Sequence, residues 1–405
     1  MSEWKEYKLG DLIETNKKSI GKNYPYSRIL YLDTGSITCN NIESYQEFEL
    51  DKSPSRAKRL VKQDDIIYSS VRPNQLHYGY ITNPQDNLVV STGFITITCN
   101  KEVIYPKFLF YYLIQDYITE YLHSVAEAST SAYPSLKADD IESLYIELPP
   151  LSEQKRIASI LSSLDDKIDL LHRENKTLEV MAETLFRQWF IEEAKEDWKE
   201  GKLGDYVNET IGGEWGKENP EGDFTKVVQC IRGTDIADLN IGLANKAPIR
   251  FVKESKFEKI EPRNGDIIME ISGGTENQST GRVVYINEDV KTFFQYPIVF
   301  SNFCRLLRVD EKYSYFLYCY LKYLYDQDEY FNLENGSSGI KNLDYKALLY
   351  DLTYPMPKDK RIIFKFNDNV SLYFKRINKN KKQIQTLTQT RDSLLPKLMN
   401  GEVKI

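Results

Sequence analysis

Two stretches of the chain place apolar residues at alternating intervals of four and three. The first series is Ile157, Leu161, Leu164, Ile168, Leu171, Asn175, Leu178, Ala182, Leu185 and Trp189. The second is Phe366, Val370, Tyr373, Ile377, Asn380, Ile384, Leu387, Arg391, Leu394 and Leu398. This is the heptad seam of a helix that buries one stripe against another helix. The alternative is an amphipathic helix lying on its own domain, but each 33-residue span would reach about 50 Å, longer than a flanking domain is wide, so the two stripes are expected to cover each other. Ser152, followed by Glu153, Gln154 and Lys155, predicts an N-cap at the start of the first helix. Pro396 is expected to disturb the last turn of the second.

The rest of the chain reads differently. Short β-type runs such as DIIYSSV, LVVSTGFITITC, TKVVQCI and FSNFCRLLRV alternate with Asn, Gly, Pro and Asp turn signals, and a few helical stretches lie among them. The division this predicts is a globular α+β domain over 1–150, a long helix over 151–195, a second α+β domain over 196–357 and a second long helix over 358–405.

The two halves repeat one another. WKEYKLGD at Trp4–Asp11 returns as WKEGKLGD at Trp198–Asp205, an offset of 194. DDIIYSSVR faces GDIIMEISG at 201, STSAYPSL faces GSSGIKNL at 207, and LEVMAETL faces LTQTRDSL at 209. The order is kept while the offset grows, as a duplication with longer second-half loops requires. Paired antiparallel, the helices would turn the duplication into a pseudo-two-fold axis, which suits a protein that spans two similar objects.

Composition narrows the classes. Hydrophobic residues make up 41% and charged residues 28%, as in a globular protein, and no run of about 18 apolar residues offers a membrane span. The polar start MSEWKEYKLG lacks a secretory apolar core, so a cytoplasmic location is expected. Five scattered cysteines without a C-x-x-C, and three histidines, argue against a disulfide framework or a zinc site. The net charge of −7 is an objection that any nucleic-acid reading must meet.

The block LPPLSEQKRIASILSSLDDKIDLLHRENKTLEVMAETLFRQWF (148–190), the C-terminal TRDSLLPKLMNGEVKI and the two W-K-x-x-K-L-G-D openings closely resemble the specificity subunit of type I restriction-modification enzymes, over the whole chain. The resemblance implies two target recognition domains, each reading one half of a split double-stranded DNA target. It also implies an antiparallel coiled coil that sets the spacer and docks two modification (methyltransferase) subunits, with restriction (translocase and nuclease) subunits joining them. S-adenosylmethionine, ATP and Mg are then expected only on the partner subunits, and the acidic charge is tolerable because partners would share the phosphate contacts. The second helix lacks an LSEQKRIASIL opening, which leaves its start open between Arg361 and Tyr373.

Chemistry of the chain's own is not apparent. The proline pairs read LPPL and YPMP, with no Asn or Asp before them as a base-flipping adenine methyltransferase needs. ISGGTENQSTGR leads into no helix, and no P-loop occurs. The expectation is a non-catalytic subunit; the alternative from another class is an adaptor that bridges two protein partners without touching DNA.

For DNA contacts, SSVRPNQLHYGY offers Arg72, Asn74, Gln75 and Tyr78, and the aligned GGTENQSTGR offers Asn277, Gln278, Thr280 and Arg282. Arg reads guanine, and Asn or Gln reads adenine, through paired hydrogen bonds; both segments also fit plain polar hairpin loops. Ser131, Lys137, Ser337 and Lys341 are candidates for phosphates. Basic runs at Arg56, Lys58 and Arg59 and at 375–382 read first as solvated faces. Full overlap of the two seams pairs residues whose numbers sum to 555, so Asn175 and Asn380 are expected to meet; slipped registers would set Asn175 against Tyr373 or Leu387.

Overall fold

The computed structural model describes residues 4–128, 135–194, 197–244, 246–275, 277–336, 340–403 and 405. The chain forms two compact units, Met1–Asp166 with Gln389–Ile405, and Lys167–Thr388.

Each unit is built on the same pair of sheets. In the first, an antiparallel sheet runs Ile13–Thr15, Phe94–Cys99, Ile66–Ser69, Tyr78–Tyr80. In the second the order is Glu209–Gly212, Cys304–Arg308, Ile267–Glu270, Val283–Tyr285. The companion sheet contains one parallel pair in each unit, Arg28–Leu32 beside Leu88–Ser91 and Phe224–Ile231 beside Ile298–Phe300. The W-K-x-x-K-L-G-D openings feed strands Lys5–Lys8 and Lys199–Gly201, which pair with Tyr145–Leu148 and Tyr354–Met356.

The repeated D-I-I motif has a local cause. Asp65 accepts from the Lys62 backbone N–H at 2.9 Å, and Asp266 accepts from that of Arg263 at 2.7 Å. Each carboxylate closes a tight turn just before a strand whose four residues are all buried. The strand is covered on both faces, so its apolar residues run continuously rather than alternating. The returning strand is held in the same way in both units, by Ile81 N–H on the Asp65 carbonyl (2.9 Å) and Ile286 N–H on that of Asp266 (2.8 Å). Burial pushes both aspartates above the ordinary carboxylate range, against the hydrogen bonds that hold them down.

The first long helix spans Leu151–Arg187 and closes in a wide π turn, Gln188–Glu192. Its start corrects the expectation for Ser152. The Pro150 carbonyl accepts from Glu153 and Gln154 (2.8 and 3.1 Å), so Ser152 lies exposed in the first turn. The anchor is Gln154, 1% exposed, which accepts from Tyr105 N–H (2.8 Å) and donates to the carbonyls of Val103 and Pro149 (3.0 and 2.9 Å). The second long helix begins at Arg361 and continues through Pro396 to Met399. Pro396 sits on an exposed face, where a missing N–H costs least.

Every seam position is withdrawn from solvent. Ile157, Leu161, Leu171, Asn175, Val370, Ile377, Asn380 and Ile384 are buried, and Leu164, Ile168, Leu178, Leu185, Tyr373, Leu387 and Leu394 are half-buried. Within the second unit the pairing is antiparallel. Asn175 meets Asn380, Glu174 takes both Arg376 nitrogens (2.7 and 3.2 Å), and Phe186, Trp189 and Phe190 pack around Phe366. Within the first, Asp165 bridges Arg391 (3.0 Å) and the Tyr111 hydroxyl (2.6 Å). The second helix also lies on the second domain, through Gln385 to the Gly242 carbonyl (2.6 Å) and Lys382 to that of Thr292 (2.9 Å).

Candidate nucleic-acid interface

In the first unit the chain leaves strand Ile66–Ser69, turns through a short 3-10 segment, Pro73–Gln75, and returns as Tyr78–Tyr80. Arg72 (φ 47°) and Leu76 (φ 59°) flank the turn in the left-handed region. For residues with a Cβ this conformation costs on the order of 1 kcal/mol or more each, and it persists only where neighbours enforce it. Here the neighbour is the hairpin of strands Ile37–Thr38 and Asn41–Ile42, whose Cys39 and Asn40 donate to the carbonyls of Leu76 (2.8 Å) and Tyr78 (2.9 Å). The strained, braced turn presents Arg72, Asn74 and Gln75 to solvent. Tyr78 is a correction. It is 7% exposed, stacks on Tyr68 and meets Phe110 edge-on, because it is the first residue of the returning strand and faces the core.

The two segments matched across the repeat meet in space. Leu136 N–H donates to the Ser70 carbonyl (2.7 Å), and Ser70 N–H donates to that of Gly93 (2.8 Å). Lys137 follows with its side chain exposed, while its backbone N–H is taken by Asp140 (2.6 Å). Ser131 lies outside the described residues.

The second unit repeats this brace atom for atom. Leu343 N–H donates to the Ile271 carbonyl (3.0 Å), and Ile271 N–H donates to that of Phe303 (2.8 Å). Strand Ser272–Gly273 pairs with Lys341–Leu343, and Thr275 N–H closes a turn on the Gln278 carbonyl (2.8 Å). Asn277 and Gln278 are exposed.

Thr280 and Arg282 are corrections. Thr280 is fully buried, with its N–H on Glu334 (2.6 Å). Arg282 makes a two-pronged pair with Glu270 (2.9 and 2.7 Å), which is 1% exposed. Glu270 stands where the first unit has Ser69, and a carboxylate at that depth must have a cation; Arg282 supplies it and faces inward. Lys341 is also engaged, paired with Glu334 (2.8 Å) and lying over the Phe331 ring. Burial would raise Glu334, but hydrogen bonds from Lys341 and Thr280 hold it below the ordinary carboxylate range. Ser337 lies outside the described residues.

Among the described residues no group of three or more His, Cys, Asp or Glu side chains is arranged to hold a metal. Burial pushes the thiols of Cys99, Cys230 and Cys304 up to about 12, far from a nucleophile's range. Among the described residues no helix is long and apolar enough to cross a membrane.

Comparison with known proteins agrees with this arrangement. The family model "Type I restriction modification DNA specificity domain" matches the chain twice, over residues 1–180 and 195–387. The HindI specificity subunit of Haemophilus influenzae is 27% identical over a 467-residue alignment that covers all of both chains. The MjaIX specificity subunit of Methanocaldococcus jannaschii is 26% identical, covering 99% of this chain and 89% of that one. In fold, the chain is similar to the S subunit of a type I restriction-modification system from M. genitalium, with a TM-score of 0.58 at 18% identity, covering 98% of this chain and 96% of that one.

Proposed function

The chain belongs to the type I restriction-modification DNA specificity family, and from that premise we propose that its two recognition domains read the two halves of a split double-stranded DNA target. Arg72, Asn74 and Gln75 read one half, and Asn277 and Gln278 the other. The observation that carries this reading is the duplicated brace, Leu136 on Ser70 and Leu343 on Ile271. In both copies it holds a loop whose exposed side chains are of the types that recognise base edges. Lys137, on the segment that closes the brace in the first unit, contributes to phosphate contact.

The two long helices set the spacer between the half-sites and dock two modification subunits, which carry S-adenosylmethionine and the methyl-transfer chemistry. Restriction subunits bring ATP and Mg. A chain with net charge −7 relies on those partners to close around the duplex, so alone it binds DNA weakly.

The test has two parts. Methylome sequencing of a host that carries the intact system should return one split motif, lost when the chain is deleted. The chain reconstituted with its modification subunits should bind a duplex with that motif and discriminate against a scrambled one. Assembly with the subunits but no preference for the motif would leave an adaptor and overturn the proposal.

A further inference from the structure

Phe303 is 56% exposed, on a backbone that has little freedom. It belongs to the turn between strands Ile298–Phe300 and Cys304–Arg308, which joins the two sheets of the second unit. Ser301 N–H donates to the Ile231 carbonyl (2.9 Å), and Cys304 N–H closes the turn on Ser301 (3.0 Å). The Phe303 carbonyl accepts from Ile271 (2.8 Å) and Ser272 (3.3 Å). Those last two residues begin the loop that carries Asn277 and Gln278, so the ring stands at the foot of the proposed reading loop.

A lone exposed apolar residue needs no explanation, but this one has company of a particular kind. Ile340 is 57% exposed and directly precedes Lys341, which pairs with Gly273. Asn302, next to Phe303, and Asn342, two positions after Ile340, are exposed as well, the Asn342 side-chain oxygen accepting from the Ser272 hydroxyl. Rigid apolar side chains among base-edge donors are what proteins use to pry apart a base step and kink the duplex. At the place of Phe303 the first unit carries a glycine, Gly93. The brace that Phe303 makes with Ile271 is made there by Gly93 with Ser70, and a side chain at Gly93 would run into the Thr34 methyl.

Building on the DNA reading above, we propose that the Phe303 ring wedges into the base stack of the second half-site. At the position of Phe303 the two halves then differ: the second domain inserts a ring where the first has only the Gly93 backbone.

The experiment uses the full chain assembled with its modification subunits, and duplexes carrying the motif with 2-aminopurine placed at successive positions in each half. Wild type should raise the fluorescence at one step of the second half beyond any change in the first. Phe303→Ala should abolish that rise and weaken binding about tenfold, the scale of removing one base–aromatic stack. Phe303→Leu should retain part of both, and binding to scrambled duplex should not change. Unaltered fluorescence and affinity in Phe303→Ala, with motif discrimination intact, overturns the wedge and leaves the DNA reading standing. Loss of subunit assembly in Phe303→Ala before DNA is added also overturns it, since the ring would then be a protein contact. If the wild-type complex shows no discrimination at all, the DNA reading fails with it.

Discussion

The Asn380 side chain donates to the Asn175 side-chain oxygen at 2.9 Å inside the second unit, with both residues almost wholly withdrawn from water. Their numbers sum to 555, the register of fully overlapped seams. The Asn380 oxygen is itself buried with no hydrogen-bond partner among the described residues, so the pair costs stability while fixing alignment. Replacing Asn380 alone by Leu should destabilise the second unit by about 1–3 kcal/mol, because Asn175 is left unpaired. Replacing both by Leu should recover most of that loss. Denaturant titration reads the stability. Cysteine pairs placed for the native and for slipped registers should cross-link only natively in the parent and in both ways in the double variant.

The Glu270–Arg282 pair should behave as a structural unit. Arg282→Met leaves a buried carboxylate without its cation and should cost about 3–5 kcal/mol. Changing both to apolar residues of similar size should restore most of it. A double-mutant cycle in urea measures the coupling, and a cycle that sums without interaction would contradict the assignment.

The loop tips should separate stability from specificity. Asn74→Ala with Gln75→Ala, and Asn277→Ala with Gln278→Ala, should each shift stability by no more than about 0.5 kcal/mol. Removing the paired hydrogen bonds to one base should cost about 1–3 kcal/mol of discrimination at that position. Methylation profiling should show relaxed preference in one half of the motif per variant; equal relaxation of both halves would end the half-site assignment.

Lys381 makes the second unit sensitive to alkaline pH. Burial drives its pKa down to about 8, partly opposed by the charge of Glu179. The unfolded chain keeps this lysine protonated up to about pH 10.4, so between pH 8 and 10 the unfolded state binds more protons than the folded one. Stability from this group therefore rises through that window, and below pH 8 its burial opposes folding in full. Lys381→Met should stabilise the second unit by about 2–3 kcal/mol at pH 7, with a gain that fades towards pH 10. Thermal melts of parent and variant at pH 7, 8, 9 and 10 test both the sign and the fading.

Lengthening both helices by one heptad adds about 10 Å, the rise of roughly three base pairs. The preferred spacer of the target should grow by that amount. A folded variant that still modifies the original spacing would refute the role of the helices as a ruler.

The duplication, the two helices and their register were legible because they rest on periodicity, which side-chain packing enforces along many residues at once. The loop residues were legible only in part. Arg72 and Arg282 look alike in sequence, yet one points to water and the other to Glu270, and the deciding fact is a buried acid twelve positions away. Tyr78 lies one residue past the end of a loop, where strand geometry turns it inward. Phe303 carried no motif at all. It became visible only once its backbone was seen to hold the first residues of the reading loop, a pairing between segments some thirty residues apart. The start of the second helix lacked its usual opening, but helix geometry carries on to Arg361 without it.

The core of the first unit draws on both ends of the chain: Leu395, Leu398 and Met399 share one apolar cluster with Leu9, Ile104, Ile157 and Leu161, and Gly401 rests against the Trp4 ring. Between the two contributing stretches lie the 222 residues of the other unit, from 167 to 388. At a synthesis rate of about 5–20 residues per second, the closing stretch emerges on the order of 10 to 40 s after the rest of its unit. The unit that leaves the ribosome first is therefore completed last, after its neighbour has had time to fold. During that interval the apolar cluster of the first unit stands without Leu395, Leu398 and Met399, so the nascent chain exposes apolar surface that the finished unit buries.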